Sequence, residues 1–110
     1  MSDFVLRRWD LDPYPGDQAP LHVHRSGDEG FVVLSGRLDV VLDTKRHRLE
    51  SGEFIVVPAG TPHTFATVGD EPVSVVVSMT PDIDELVRTL HTVTPEEMPG
   101  VWARFDSVVV

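Results

Sequence analysis

The feature that most constrains this chain is a series of short, β-rich segments separated by turn sequences. The segments are FVVLS (31–35), RLDVVLD (37–43), FIVVP (54–58), HTFATV (63–68) and VSVVVSM (73–79). In several of them apolar residues recur at every second position, the period at which side chains share one face of a strand. Short strands at this density, with Gly- and Pro-containing turns between them, predict an all-β sandwich or barrel.

The length and composition predict a single domain. The chain has 110 residues with no internal shift in composition, so residues 1–110 are expected to fold together. There is no cysteine. This excludes disulfides and thiolate-bound zinc, and any metal must be held by imidazole, carboxylate or water.

A helical segment is predicted after the last strand, over residues 81–105. Thr80 can cap a helix, Pro81 suits its first position, and apolar residues recur at helical spacing up to Leu90. This helix is expected to pack on the outside of the sheets. The sequence TPEE (94–97) has the pattern of a capping box for a second short helix.

Three histidines and a glutamate are placed where their side chains can meet. His22 and His24 stand two positions apart in a predicted strand and therefore project from one face. Glu29 can fold back beside them after a short turn, and His63 enters another strand. Imidazole and carboxylate suit a divalent metal, so these four side chains form the candidate metal site. The neighbouring Asp28 should point to the opposite face.

Two segments carry a family resemblance. The segment 16–36 resembles the first cupin motif at Gly16, His22, His24, Glu29 and Gly36. The segment 52–67 resembles the second cupin motif at Gly52, Pro58, Gly60 and His63. The one departure is Thr67, which stands where the family usually has Asn. The resemblance covers about half of the chain, and its ordered spacing is far more specific than an isolated His-x-His pair.

The resemblance implies a cupin double-stranded β-helix, a jelly-roll-like barrel of six to eight strands with one or two short C-terminal helices. It also implies that His22, His24, Glu29 and His63 converge on one divalent transition metal, which could be Fe(II), Mn(II), Ni(II), Co(II) or Zn(II). Four protein ligands would leave up to two positions of an octahedral site for water, a chelating substrate or dioxygen. Thr67 does not weaken this prediction, because the Asn of the motif is not a metal ligand.

Five residues are candidates for lining a substrate pocket. Phe31, Val33 and Phe65 share strand parity with the candidate ligands, and Met79 lies on the patterned face of the last predicted strand. For Phe31, Val33 and Phe65 the favoured interpretation is plain core, with the pocket as the alternative. Tyr14 could reach the mouth of the barrel or simply lie on a loop. Trp9 and Trp102 are interpreted as packing or dimer-contact residues rather than as substrate platforms.

Three functions are compatible with this site. The first is a small metal-dependent enzyme, dioxygenase-like, that acts on a small chelating organic substrate. The second is a metal-dependent isomerase or lyase that needs no oxygen, because the same ligands serve both reactions. The third is a non-catalytic module that binds a small molecule.

Charge and terminal composition bear on partners and location. The net charge of −9 opposes binding to nucleic acid and to anionic membranes. Without an apolar stretch at the N-terminus we expect no signal peptide and a cytoplasmic protein. The resemblance implies a homodimer, which is also favoured by the apolar residues on both faces around Val76 and by potential edge strands in FVL (4–6) and SVVV (107–110).

Overall fold

The computed structural model describes residues 3–110, which form nine strands and two helices. In chain order the elements are β1 (Val5–Leu11), β2 (His22–His24), β3 (Glu29–Ser35), β4 (Leu38–Leu42), β5 (Lys45–Leu49), β6 (Phe54–Val57), β7 (His63–Thr67), β8 (Val73–Met79), α1 (Pro81–Leu90), α2 (Met98–Arg104) and β9 (Ser107–Val109). No helix within residues 3–110 has the length and apolar character needed to cross a bilayer.

The strands form two sheets that enclose the core. The order in the first sheet is β1-β8-β3-β6, and in the second it is β5-β4-β7-β2-β9. The strand pairings within residues 3–110 are all antiparallel. This arrangement is a double-stranded β-helix with two short helices, so the predicted fold class is confirmed.

The core lies between the two sheets and follows from the alternating pattern of the strands. Along β8 the residues from Val73 to Met79 are alternately buried and half-buried, as a strand with one inward face requires. Phe31 and Val33 on the neighbouring β3 and Val40 on β4 of the second sheet are fully buried in the same cluster. The inward faces of the two sheets therefore supply most of the apolar contact of the fold.

One motif glycine has a clear structural reason. Gly36 lies between β3 and β4 with a φ of +78°, a conformation that residues with a Cβ adopt at a cost. A Cβ at this position would also overlap the carbonyl oxygen of Pro72. Gly36 therefore allows the two strands to connect beside the loop that precedes β8.

The C-terminal segment packs differently from the expectation. The hydroxyl of Thr80 accepts a hydrogen bond from the Ile83 amide and caps α1, which begins at Pro81 as predicted. Ile83, however, belongs to the core cluster, and Leu86 is fully buried against α2. The expected position of α1 on the outside of the sheets is therefore wrong, because Ile83 enters the core cluster, while Leu86 packs in a second cluster with Val101 and Trp102 of α2.

Strand β9 was anticipated only as a potential edge strand. It pairs antiparallel with β2, with Ser107 opposite His24 and Val109 opposite His22. The last residues of the chain therefore lie directly beside the strand that carries two of the candidate metal ligands. Both β1 and β9 remain edges of their sheets.

Candidate metal centre and its cavity

Four side chains from three strands meet between the two sheets. His22 and His24 lie on β2, His63 begins β7 directly opposite His22, and Glu29 begins β3 in the other sheet. One potential ligand atom from each of the four residues can be chosen so that all lie within 4.8 Å of one another. The structure therefore brings together all four residues of the candidate metal site.

Burial keeps two of these histidines uncharged. Each of the four side chains belongs to a residue that is at most 5% exposed. Burial lowers the pKa of His22 to about 4 and that of His24 to about 3, and the neighbouring imidazoles add to both shifts. At neutral pH both rings are neutral, which is the form that binds a metal.

Backbone carbonyls fix the tautomers of two rings. The Nδ1 atom of His22 lies 2.6 Å from the carbonyl oxygen of Pro20, and that of His63 lies 2.9 Å from the carbonyl oxygen of Thr61. A carbonyl oxygen can only accept a hydrogen bond, so each Nδ1 atom carries the proton. The lone pair of each ring is therefore on Nε2.

The third ring is held by a hydroxyl group. The Nδ1 atom of His24 lies 2.8 Å from Oγ of Ser107, and this hydroxyl donates its proton to the carbonyl oxygen of Phe105. Because its only proton is used in that way, the Ser107 oxygen accepts from His24 Nδ1. His24 therefore also presents its lone pair on Nε2.

The Nε2 atoms of His63 and His24 face the same carboxylate oxygen of Glu29. His63 Nε2 lies 3.1 Å from Glu29 Oε1, and His24 Nε2 lies 3.7 Å from the same oxygen. In these tautomers both partners are acceptors, so a proton or a metal ion between them makes the contact favourable. Three imidazole nitrogens and one carboxylate fit a divalent transition metal and do not favour one of the five candidate metals.

Asp28 is excluded as a ligand by its own hydrogen bond. Its Oδ1 atom accepts a hydrogen bond of 2.8 Å from the amide of Ala59, and the residue is exposed. This contact ties the loop before β3 to the loop before β7. It explains why adjacent acidic residues, Asp28 and Glu29, have different roles.

The metal centre opens into a cavity of about 610 Å³, which is within the usual range for small-molecule sites. Its walls come from both sheets, the loop before β2 and both helices. The lining residues are Arg8, Trp9, Asp10, Leu11, Gln18, Ala19, Pro20, His22, His24, Glu29, Phe65, Leu86, Val87, Leu90, His91, Met98 and Trp102.

The fold agrees with the comparison against known families. The family model described as a cupin domain matches residues 11–79, which is more than half of the chain. This chain belongs to the cupin family. The match includes both motifs and all four candidate ligands of this cupin, and it ends before α1.

Curated relatives of this cupin share only part of their length with it. Quercetin 2,3-dioxygenase from Bacillus subtilis is 50% identical over 50 residues, which are 46% of this chain and 15% of that protein. Polyketide synthase CurC from Streptomyces cyaneus is 33% identical over 67 residues, 61% of this chain and 44% of that protein. The matched segments span less than half of each of these relatives.

Solved structures include other cupins with a similar fold. A sugar phosphate isomerase of the cupin superfamily from Silicibacter pomeroyi superposes with a TM-score of 0.63 at 29% identity, covering 73% of this chain and 52% of that chain. A cupin-2 domain protein from Shewanella frigidimarina gives a TM-score of 0.61 at 24% identity, covering 73% of this chain and 72% of that chain.

The structure separates the predicted pocket residues of this cupin. Phe65 lines the cavity at the metal centre. Phe31, Val33 and Met79 do not line this cavity and are fully buried in the core. Their position is therefore that of core residues. Tyr14 is exposed and borders a different groove.

Thr67, the departure from the second motif, has a defined role. Its Oγ1 atom accepts a hydrogen bond of 3.0 Å from the amide of Tyr14 and donates one of 3.2 Å to the carbonyl oxygen of the same residue. Thr67 therefore holds the loop after β1 against β7.

Two residues interpreted from the sequence as packing or dimer-contact residues, Trp9 and Trp102, also line the cavity. Trp102 packs against the ligands, with its ring centroid 5.0 Å from His22 and 6.3 Å from His24. Trp9 stacks on Phe65 with ring centroids 5.9 Å apart. The alternation of β1 could have placed Trp9 on an inward face, whereas no local pattern indicated that α2 brings Trp102 to the histidines.

Proposed function

We propose that this cupin is a metal-dependent, dioxygenase-like enzyme that acts on a small, largely apolar organic molecule with chelating oxygen atoms. The observation that carries this proposal is the set of three Nε2 lone pairs and one carboxylate at the wall of an apolar cavity. A divalent transition metal bound there supplies Lewis-acid or oxygen-activating chemistry.

The residues of the chain would prepare the site for an anionic chelator. Three neutral imidazoles and one carboxylate leave a net positive charge on a divalent ion, which attracts an enolate or catecholate oxygen. Trp9, Phe65 and Trp102 surround this position with aromatic surface. Such walls exclude water and strengthen the electrostatic interaction between the ion and the chelating oxygens.

A second candidate is a metal-dependent isomerase, and it is favoured by the likeness to the Silicibacter pomeroyi sugar phosphate isomerase. The charges around the cavity argue against a phosphorylated substrate. Arg8 lines the cavity, but its guanidinium is bonded to Asp10 and its side chain is 62% exposed. Leu90 and His91 place the C-terminal, negative end of α1 at the cavity, which repels an anion.

The test measures first the metal content of the protein and then its oxygen consumption. Protein reloaded separately with each of the five candidate metals should bind about one equivalent. At least one of the redox-active metal forms should consume oxygen with a panel of catechols, enolates and β-diketones. His24→Ala should lose both metal and oxygen uptake, because it removes a ligand. His47→Ala is the matched control, since His47 lies on β5 at the far edge of the second sheet.

The outcomes separate the candidates. Metal binding far below one equivalent in every case would contradict the proposal. Turnover that persists without oxygen would favour the isomerase or lyase. A chelating ligand that binds tightly to every metal form and is released unchanged would favour a binding module.

A further inference from the structure

We propose that the two helices set the substrate specificity of the cavity by binding a hydrocarbon substituent of the chelating substrate. The inference rests on the proposed function, since it assumes that the chelating oxygens are held at the candidate metal centre. It deepens that function, because it assigns the apolar part of the substrate to one wall of the cavity and narrows the substrate to a chelator with an alkyl or aryl extension.

The helices are separate in sequence from the metal ligands. The cupin match ends before α1, so both helices follow the part of the chain that supplies the four candidate ligands. They nevertheless contribute six residues to the cavity wall, which are Leu86, Val87, Leu90, His91, Met98 and Trp102. One wall of the cavity therefore comes from a segment that the ligand set itself does not require.

This wall leaves apolar surface uncovered. Val87, Leu90 and Met98 line the cavity and are half-buried, so part of each residue stays accessible. Val87 packs at the edge of the main core cluster, whereas Leu90 and Met98 pack at the edge of the cluster between α1 and α2. The cavity is thus bordered by both apolar clusters. Covering their accessible surface with hydrocarbon is favourable in proportion to the area removed from water.

An ion pair holds the helical wall against β1. Arg7 on β1 donates hydrogen bonds of 2.9 and 3.0 Å to Asp84 on α1. Trp9 is two residues after Arg7 and therefore projects from the same face of β1. Val87 is three residues after Asp84 and is its neighbour on the surface of α1. The ion pair therefore fixes the spacing between two cavity residues, Trp9 and Val87, before any ligand binds.

The helical wall is continuous with the candidate metal centre through Trp102. The ring centroid of Trp102 lies 5.0 Å from that of His22 and 6.3 Å from that of His24. Leu90 and Met98 pack against the cluster that contains Trp102. A molecule that is chelated at the histidines and extends along the helices therefore meets one unbroken apolar surface. Catechols and β-diketones that carry an alkyl or aryl substituent have this form.

The test compares catechol with 4-butylcatechol on Zn(II)-loaded protein, since zinc is redox-inactive. Isothermal titration calorimetry gives the two dissociation constants. Each fully buried methylene contributes about fourfold to affinity, so the wild type should bind 4-butylcatechol at least about tenfold more tightly than catechol. Both probes have the same chelating oxygens, so the ratio of their dissociation constants reports on the wall and not on the metal.

Two valines provide a matched pair of variants. Val87→Thr and Val93→Thr each replace a half-buried valine by a polar residue of the same shape. Val87 lines the cavity, whereas Val93 packs on the cluster between the helices and does not line it. Val87→Thr should therefore lower the affinity ratio about threefold, because it makes the wall polar. Val93→Thr should leave the ratio unchanged.

Met98 provides a second, independent variant on α2. Met98→Gln keeps the length of the side chain but makes it polar, and it should also lower the affinity ratio about threefold. Met98→Leu keeps the side chain apolar and should leave the ratio within about twofold of the wild type.

The outcomes distinguish this inference from the proposed function. If catechol binds only when zinc is present but 4-butylcatechol binds no more tightly, the inference is refuted and the metal centre stands. A ratio that is unchanged in Val87→Thr and Met98→Gln refutes it as well, and so does an equal fall in Val87→Thr and Val93→Thr. If neither probe binds the zinc-loaded wild-type protein, the chelating function fails and the inference fails with it.

Discussion

At the scale of single residues, the candidate metal centre depends on atoms outside its four ligand side chains. Each of the three histidines has a hydrogen-bond partner at Nδ1, and this partner decides that the lone pair lies on Nε2. Two partners are backbone carbonyls, which no substitution removes. The third is the Ser107 hydroxyl, 83 residues along the chain from His24. It is the one orienting contact that a substitution can delete.

Ser107→Ala should therefore weaken metal binding without unfolding the protein. Without the hydroxyl, His24 can rotate or take the other tautomer, which places a proton on the atom that binds the metal. Loss of such an orienting partner typically costs about 10- to 100-fold in metal affinity. Competition with a chromogenic chelator, followed for Zn(II) or Co(II), measures the effect.

A serine elsewhere in the fold provides the comparison for this substitution. The hydroxyl of Ser51 also bonds to a backbone carbonyl, that of Leu34, but it is exposed. Ser51→Ala should leave metal affinity unchanged. If Ser107→Ala has the affinity of the wild type while His24→Ala does not, the orienting role of Ser107 is wrong.

At the scale of elements, α1 is fastened to the first sheet by a buried carboxylate. The side chain of Asp84 is 4% exposed and accepts hydrogen bonds of 2.9 and 3.0 Å from Arg7 on β1. Arg88, one turn further along α1, pairs with the other side of the carboxylate at 3.2 Å. The hydrogen bonds from Arg7 lower the pKa of Asp84 despite its burial, and the charges of both arginines add to the shift.

The sign of this shift predicts a loss of stability in acid. An unfolded Asp has a pKa of about 3.9, and the folded Asp84 has a lower one, so its contribution is complete above about pH 4. The contribution is lost as pH falls through the lowered, folded-state pKa. Asp84→Asn should therefore lower the free energy of unfolding by about 1–2 kcal/mol at pH 7, since both arginines are partly exposed.

The pH dependence is the decisive part of the measurement. In urea denaturation at pH 7, 5, 4 and 3, the difference between wild type and Asp84→Asn should shrink towards the acid end. Asp82→Asn is the matched control, because Asp82 is in the first turn of the same helix but exposed. A difference that stays constant over the whole pH range would contradict the assignment.

The same elements show which parts of the site the sequence could predict. The His22–His24 pair and the choice of Glu29 over Asp28 follow from strand parity and local spacing, so they were accessible to pattern analysis. Trp102 and Ser107 reach the histidines only because α2 and β9 return to β2, and local patterns contain no information on that return. The fold was predictable because its strands are short and its turns are marked by Gly and Pro.

At the scale of the whole molecule, the outer face of the first sheet is unusually apolar. Phe54 is 69% exposed and Leu6 is 67% exposed, and Val32, Leu34 and Val56 on the same sheet are also exposed. Exposed apolar residues clustered on one face of this kind commonly mark a protein–protein contact. A second copy is the natural partner, because an antiparallel sheet face can pack on itself about a twofold axis.

We therefore expect a homodimer formed through this face, and light scattering after gel filtration should give twice the mass of 12.2 kDa. Phe54→Asp should convert it to a monomer, because it places a charge within the apolar contact at the most exposed residue of this face. Val110→Asp is the matched control, since Val110 is also 69% exposed but follows β9 in the other sheet.

Each copy carries a net charge of −9, so the dimer should tighten as salt screens the repulsion between copies. A wild-type protein that remains monomeric at high salt and high concentration would refute the homodimer. If only Val110→Asp dissociates the dimer, the interface lies on the second sheet instead.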